Sequence, residues 1–419
     1  MCPTVTADTY PWLTAGRLGL VIVRTRPNWW PVALLAGGSL LLSGCAEFDD
    51  RAASQTYAPA PTLTPEAGPA PELPEIGGTP GGPSAPKGAP STKVQPPQGC
   101  TDFDKAVVET CLDTVAAVAA LPGEGDNPAA LAGERRSGRI LRVAANTDPA
   151  QIAKVDVDAT GDGGLTGLAL SPSYAEDQLV FAYVTTATDN RVVRIANGQA
   201  PKPVLTGIPR GATGNRGAIL PDGKGALLVA TGDAGNPAEA AGDASLAGKV
   251  LRIDTAGKPA PGNPSAGSAV FASGLHAPGG LCKSADGSRL WVTDRDDNRD
   301  LLHRIQPGAS LSIPAWTWPA KPGVAGCVDA GAQLWVAAAA AGNMQNLPIT
   351  PEGTVGGKPQ ETMNGKNGTS YGKLSALSPI DQRYAFAGTV NKDGGKPVSS
   401  DDRVVIIALQ PSQGGGGKD

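Results

Sequence analysis

From about residue 99 onward the sequence predicts an all-β fold, a propeller of about six blades, and three observations predict it. A unit of short apolar strand, polar turn and second apolar strand recurs along the chain. Two of its turns are Asp-Gly between apolar runs, which is a hairpin signal. The composition, with 56 glycines, 39 prolines and only 4% aromatic residues, suits many short strands and tight turns. Sheets this small cannot bury their faces alone, so the units must pack against one another. A two-sheet sandwich would leave the repeated succession of units unexplained.

The units follow in order. Arg139-Ile-Leu-Arg-Val143 contributes to a first one. Leu165–Leu170 then leads through Ser171-Pro-Ser-Tyr174 to Leu179–Val184, and Arg191–Ile195 follows. Gly217–Leu220 leads through Pro221-Asp-Gly223 to Ala226–Ala230, and Lys249–Ile253 follows. Gly279–Cys282 leads through Ala285-Asp-Gly287 to Leu290–Val292, and Leu301–Ile305 follows. Ala325–Cys327 leads to Leu334–Val336; Tyr371–Leu374 leads through Ser378-Pro379 to Tyr384–Phe386 and on to Arg403–Leu409. Sustained helical periodicity is confined to Asp104–Ala120, which is expected to be a helix.

The N-terminal part reads differently. Arg24 and Arg26 precede an apolar run from Trp29 to Leu42, and Leu42-Ser-Gly-Cys45 closes it. A positive region, an apolar region and small residues at a cut site form an export signal, and the run is shorter than the ~20 residues of a spanning helix. The expectation is a signal over residues 1–44, with a true start near Val21 or Val23, and lipid on Cys45 at the bacterial lipobox pattern. Residues 45–98 form a Pro/Ala/Gly-rich stalk that cannot bury enough surface to offset its ordering entropy. The propeller is expected over 99–411 and a flexible glycine-rich tail over 412–419. A formal charge of −4 without a basic run argues against nucleic acid as a partner.

Lipidation would place the chain outside the cytoplasm, where disulfides persist. Cys100, Cys111, Cys282 and Cys327 remain once Cys2 and Cys45 are set aside, and four cysteines allow three pairings. Cys100 and Cys111 are close enough to close a short loop. Cys282 and Cys327 end the first strands of successive units, so they are expected to pair across neighbouring blades. No Cys-x-x-Cys or Cys/His cluster suggests zinc.

Leu228–Pro237, with Leu246–Asp254 and Gly262-Asn-Pro264, resembles the signature of the soluble quinoprotein glucose/sorbosone dehydrogenases. Gly164–Tyr174 and Gly274–Gly280 extend the resemblance, which covers roughly Gly138 to Leu409. A lipoprotein group of actinobacteria joins the same domain to a lipobox and a Pro-rich stalk. The resemblance implies a six-bladed propeller carrying pyrroloquinoline quinone (PQQ) and calcium over its axis. It also implies a histidine that takes the C1 hydroxyl proton of the sugar. That role needs a group titrating near neutrality. Where the family has His-x-Gly-Gly, this chain has Gly214-Asn-Arg-Gly217, and neither Asn215 nor Arg216 can serve.

The chain has only two histidines, His276 and His303. His276 falls in the stretch aligned with the family's Arg-Asn-Pro and is the candidate for a relocated base. For the cofactor, the resemblance leaves Asp233, Gly235 and Asn236, with Lys373 as the one cation aligned with a late Arg-x-Arg. The stacking loop has become Pro314-Ala-Trp-Thr-Trp318. Asp294, Asp296 and Asn298 offer alternating oxygens for a metal, against the simpler reading of a self-paired charged loop. Asp156–Asp162 is a similar stretch.

The sequence therefore predicts an envelope lipoprotein, anchored to the membrane through Cys45, whose propeller binds a carbohydrate, envelope component or protein with its dehydrogenase chemistry lost. The alternatives are a divergent PQQ-dependent sugar dehydrogenase with His276 as base, and a structural scaffold in an envelope complex.

Overall fold

A computed structural model describes residues 94–366 and 369–409. The expected signal, Cys45, the stalk up to residue 93, the last two residues of the expected propeller and the tail over 412–419 lie outside the described residues. The described chain forms six sheets, each one blade of a propeller. Within each blade the chain runs outward from the axis in antiparallel steps, so every innermost strand starts at one end of the ring and finishes at the other.

Blade 1 comprises Val115–Ala120, Ala129–Glu134, Arg139–Ala144 and Thr147–Lys154. Blade 2 comprises Leu165–Leu170, Val180–Thr185, Asn190–Ile195 and Lys202–Ile208. Blade 3 comprises Gly217–Pro221, Leu227–Thr231, Lys249–Ile253 and Val270–Ser273, with Ala309–Ser310 added in parallel. Blade 4 holds Gly280–Lys283, Leu290–Arg295, Asp300–Arg304 and Trp316–Trp318. Blade 5 holds Val324–Asp329, Gln333–Ala338, Asn343–Pro348 and Gln360–Thr362. Blade 6 is composite: Leu374–Pro379, Tyr384–Thr389 and Val404–Ala408 take their outermost strand, Val107–Glu109, from before blade 1. This exchange closes the ring.

The expected helix over Asp104–Ala120 is not formed; the segment divides into Val107–Glu109 and Val115–Ala120. A short apolar run reads alike as buried helix or buried strand, and here the neighbours decide. Val115 through Ala119 are all buried because blades press on both faces of the innermost strand. The same two-sided burial makes Val180–Thr185 and Leu227–Thr231 continuous apolar runs. Between blades 2 and 3, Phe181, Tyr183, Ile219, Leu227, Val229 and Leu251 interdigitate. Between blades 4 and 5, Trp291, Trp318, Val336 and Leu347 do the same. Burying side chains of this size contributes about 1.5–3 kcal/mol each.

Both expected disulfides form. Cys100 and Cys111 have Cα atoms 5.5 Å apart, and Cys282 and Cys327 have Cα atoms 5.6 Å apart, within the range a bridge requires. The second joins the innermost strands of blades 4 and 5. Beside it, the Arg289 guanidinium donates to both Asp329 oxygens at 2.7 and 2.9 Å, and Trp291 Nε1 donates to the same carboxylate at 2.9 Å. An axial cavity of about 450 Å³ is lined by innermost strands of all six blades, among them Leu168, Ile219, Leu281 and Val328.

Candidate active site

The topology collects the chemistry at one end. Segments entering an innermost strand, and segments leaving the second strand of a blade, all emerge at the same mouth of the ring. The turn Gly214–Arg216 enters Gly217–Pro221, and the loop from Gly232 leaves Leu227–Thr231. His276 lies on the connection into Gly280–Lys283, Arg295 ends Leu290–Arg295, and Arg135 directly follows Ala129–Glu134.

The turn aligned with the family's histidine is locked. Asp162 accepts the backbone N–H groups of Gly214 and Asn215, both at 3.1 Å, and the Asn215 amide at 3.2 Å. Asn215 is buried, and its side chain bonds the Gly211 backbone twice, accepting from N at 2.9 Å and donating to O at 2.9 Å. Asp162 is thus an anchor for this turn. Gly214 has φ +70, and a Cβ there would stand 2.6 Å from Asp233 Oδ1. This position cannot carry a histidine without rebuilding the loop.

A histidine nevertheless reaches that carboxylate. His276 Nδ1 lies 3.1 Å from Asp233 Oδ2, and the Asp233 N–H donates to the His276 carbonyl at 2.8 Å. The other Asp233 oxygen accepts the Gly235 N–H at 2.8 Å. Asp294, buried beneath, accepts the His276 N–H at 2.9 Å and the Ala277 N–H at 2.8 Å. The Asp233 bond, reinforced by Asp294, holds the His276 imidazole above its ordinary value. Burial pushes Asp294 itself up to about 6. The Asp233–Asn236 loop runs into the short helix Pro237–Ala241, whose position is fixed from within. The buried Lys249 ammonium donates to the carbonyls of Glu239, Ala240 and Ala247 at 2.7, 3.0 and 2.6 Å.

Most of the positive charge at the mouth comes from residues outside the sequence-derived set. Arg135 and Arg295, from blades 1 and 4, each lie within electrostatic reach of Arg216 from blade 3. The Nε atom of each is buried without a hydrogen-bond partner among the described residues. Burial, with Arg295 beside it, pulls the Arg216 guanidinium down to about 9. Arg135 is partly committed, donating to Gly163 O at 2.7 Å and pairing with Asp393 at 2.9 Å. Arg216 sits inside the turn the sequence analysis singled out, so its position was the available signal. Nothing local in the sequence links it to Arg135 or Arg295.

The remaining candidates are placed as follows. Lys373 Nζ donates to the Asp393 carbonyl at 3.1 Å near the Arg135 pair, so it is one cation among several at this end and not the last one left. Asn236 is exposed, its amide 3.4 Å from Glu239 Oε1. Asp294, Asp296 and Asn298 are not brought together: Asp294 faces inward, while Asp296 accepts the Asn298 and Arg299 N–H groups and pairs with Arg299 at 3.0 Å. Among the described residues no group of three or more His, Cys, Asp or Glu could hold a metal. Trp316 and Trp318 are strand residues, paired with Leu302 and Asp300, and not a loop over the axis.

A six-bladed propeller with cationic and His–Asp groups at one mouth defines a class of protein, and comparison narrows it. The sequence matches the glucose/sorbosone dehydrogenase family over residues 113–323, and the chain belongs to that family. The PQQ-bound aldose sugar dehydrogenase of Streptomyces coelicolor is 30% identical, with TM-score 0.65, covering 74% of this chain and 99% of that one. An oxidoreductase of Thermus thermophilus described as a glucose dehydrogenase is 27% identical, with TM-score 0.64, over 72% of this chain and 98% of that one. The aldose sugar dehydrogenase YliI of Escherichia coli K12 is 25% identical over an alignment of 182 residues that covers 39% of this chain. The match spans about half of that curated relative, 49% of its length.

The residues present fit the PQQ bound in the Streptomyces coelicolor structure. PQQ carries three carboxylates, and three guanidinium groups with unpartnered Nε atoms stand at this mouth.

Proposed function

We propose that this propeller is a divergent PQQ-dependent sugar dehydrogenase, held at the cell envelope by lipid on Cys45. The observation that carries the reading is the convergence of Arg135, Arg216 and Arg295, with orphaned donors, at the mouth that also holds Asp233, Gly235 and Asn236, the residues that the resemblance gives to the cofactor. Buried guanidinium donors without partners are costly, and a polycarboxylate ligand is what would offset that cost. Arg216 and Arg295 would hold carboxylates, with Arg135 behind them. When bound, PQQ would supply the oxidant, accepting the hydrogen and two electrons lost from C1 of an aldose.

The competing reading, in which the fold serves recognition of a carbohydrate or envelope component, is favoured by the locked turn at Gly214–Gly217, which carries no base. One titration separates the two. The full chain is mixed with PQQ, with and without calcium, and followed by absorbance and by dye reduction with aldoses. Saturable binding that weakens at least tenfold in Arg216→Met supports the cofactor site. Absence of binding in the unaltered chain removes the dehydrogenase reading and leaves recognition. Metabolic labelling with a fatty acid, compared with Cys45→Ala, tests the anchor.

A further inference from the structure

We propose that His276, delivered by the loop between blades 3 and 4, is the general base of this site, with Asp233 and Asp294 as its positioning residues. The proposal rests on the sugar-oxidising reading above and deepens it. The turn from which the resemblance would take a base is closed: Gly214 has no room for a side chain, and Asn215 is consumed by Asp162 and Gly211. The carboxylate beside that turn is nevertheless occupied by an imidazole from another loop, at 3.1 Å.

The geometry suits proton abstraction in three respects. Asp233 engages Nδ1, which selects the tautomer with its proton there and leaves Nε2 as the acceptor. The His276 side chain is 32% exposed, so it is neither sealed in the core nor fully solvated. Its backbone is fixed twice, by donation to the buried Asp294 and by accepting from Asp233 N–H. The charged and titratable groups facing it are Asp233 from blade 3 and Asp294 and Asp296 from blade 4, with His303 behind; the three carboxylates favour the imidazolium. In the reaction, the C1 hydroxyl O–H and the C1–H bond both break and C1=O forms. The hydroxyl proton goes to His276 Nε2, and PQQ, when bound, would supply the acceptor for the C1 hydrogen and its electron pair.

Two histidines in the chain make the test direct. Full chain labelled with ¹⁵N-histidine gives two rings, and His303→Leu identifies which is which. Without any cofactor, the His276 ring is expected to titrate above 6.5 with Nδ1 protonated in its neutral form, and Asp233→Asn should lower its midpoint. A midpoint at or below 6.5, or one unmoved by Asp233→Asn, overturns the dyad. With PQQ bound, His276→Gln should reduce kcat by about 10²–10⁴-fold with KM little changed, and should abolish the acid limb of the kcat–pH profile. An unaltered chain that turns over sugar while His276→Gln keeps its kcat overturns this assignment alone. An unaltered chain that binds no PQQ overturns the parent reading instead, and the ring titration still reports on the dyad.

Discussion

Val107 lies directly opposite Val405, so the first strand of the propeller is hydrogen-bonded to the last. Around this pairing the Cys100–Cys111 bridge closes an 11-residue loop, and Arg403 pairs with Asp102 at 3.1 Å and Asp401 at 2.8 Å, all three side chains buried. Removing the bridge with Cys100→Ala and Cys111→Ala should cost about 2–3 kcal/mol. Chemical denaturation of the variant and the unaltered chain, both kept oxidised so that the Cys282–Cys327 bridge stays closed, should show the loss.

Arg289 and Asp329 tie blade 4 to blade 5, and the Asp329 side chain is wholly buried. Arg289→Leu strands that carboxylate, with only Trp291 Nε1 and backbone N–H donors left. A loss of about 3–5 kcal/mol is expected. Asp329→Leu in the same background should recover part of it, because the stranded charge is then gone. Denaturant midpoints of the three variants decide this.

Gly214→His would restore the residue type that the family resemblance calls for, at the aligned turn. The structure predicts harm. The residue adopts φ +70, and its Cβ would meet Asp233 Oδ1, Ala234 N and Gly235 N within 2.8 Å. The left-handed conformation alone costs about 1–2 kcal/mol. The variant should melt lower than the parent with no gain in dye reduction by aldoses.

His303 is 1% exposed, and neither ring nitrogen has a partner among the described residues. Burial, with His276 and Arg299 nearby, lowers its pKa to about 4 from an unfolded value of 6.5. A depressed folded value means stability is fully present above 6.5 and is lost as pH falls through about 4. At about 1.4 kcal/mol per unit the loss approaches ~3 kcal/mol. His303→Leu should keep its stability at pH 7 and flatten the acid slope between pH 6.5 and about 4, as read by urea midpoints.

How far the sequence reveals this molecule differs by layer. The inner strands were legible because both faces are buried: Leu165–Leu170 and Lys249–Ile253 form where their apolar runs predict. The outermost strands carry no such signal. Thr147–Lys154 and Lys202–Ile208 are mostly exposed, and Gln360–Thr362 is polar throughout, so only the ladder beside them makes them strands. Val107–Glu109 was misread for the same reason, since its partner lies nearly three hundred residues away. At the site, His276 and Asp233 were each legible, but not their contact, because the two loops belong to different turns of the chain. The Arg135, Arg216 and Arg295 group was invisible because each residue enters from a separate blade.

The shared sixth blade also governs how the molecule comes into being. Its outer strand emerges early in synthesis, while Val404–Ala408 emerges near the end. For most of that interval a sheet edge waits without its complement, and open edges invite pairing with other chains. The waiting strand is only three residues long, carries Glu109, and has an irregular register between Val107 and Glu109. Each of these makes it a poor template for a stranger, so the delay that ring closure imposes falls on a segment ill suited to pair with other chains.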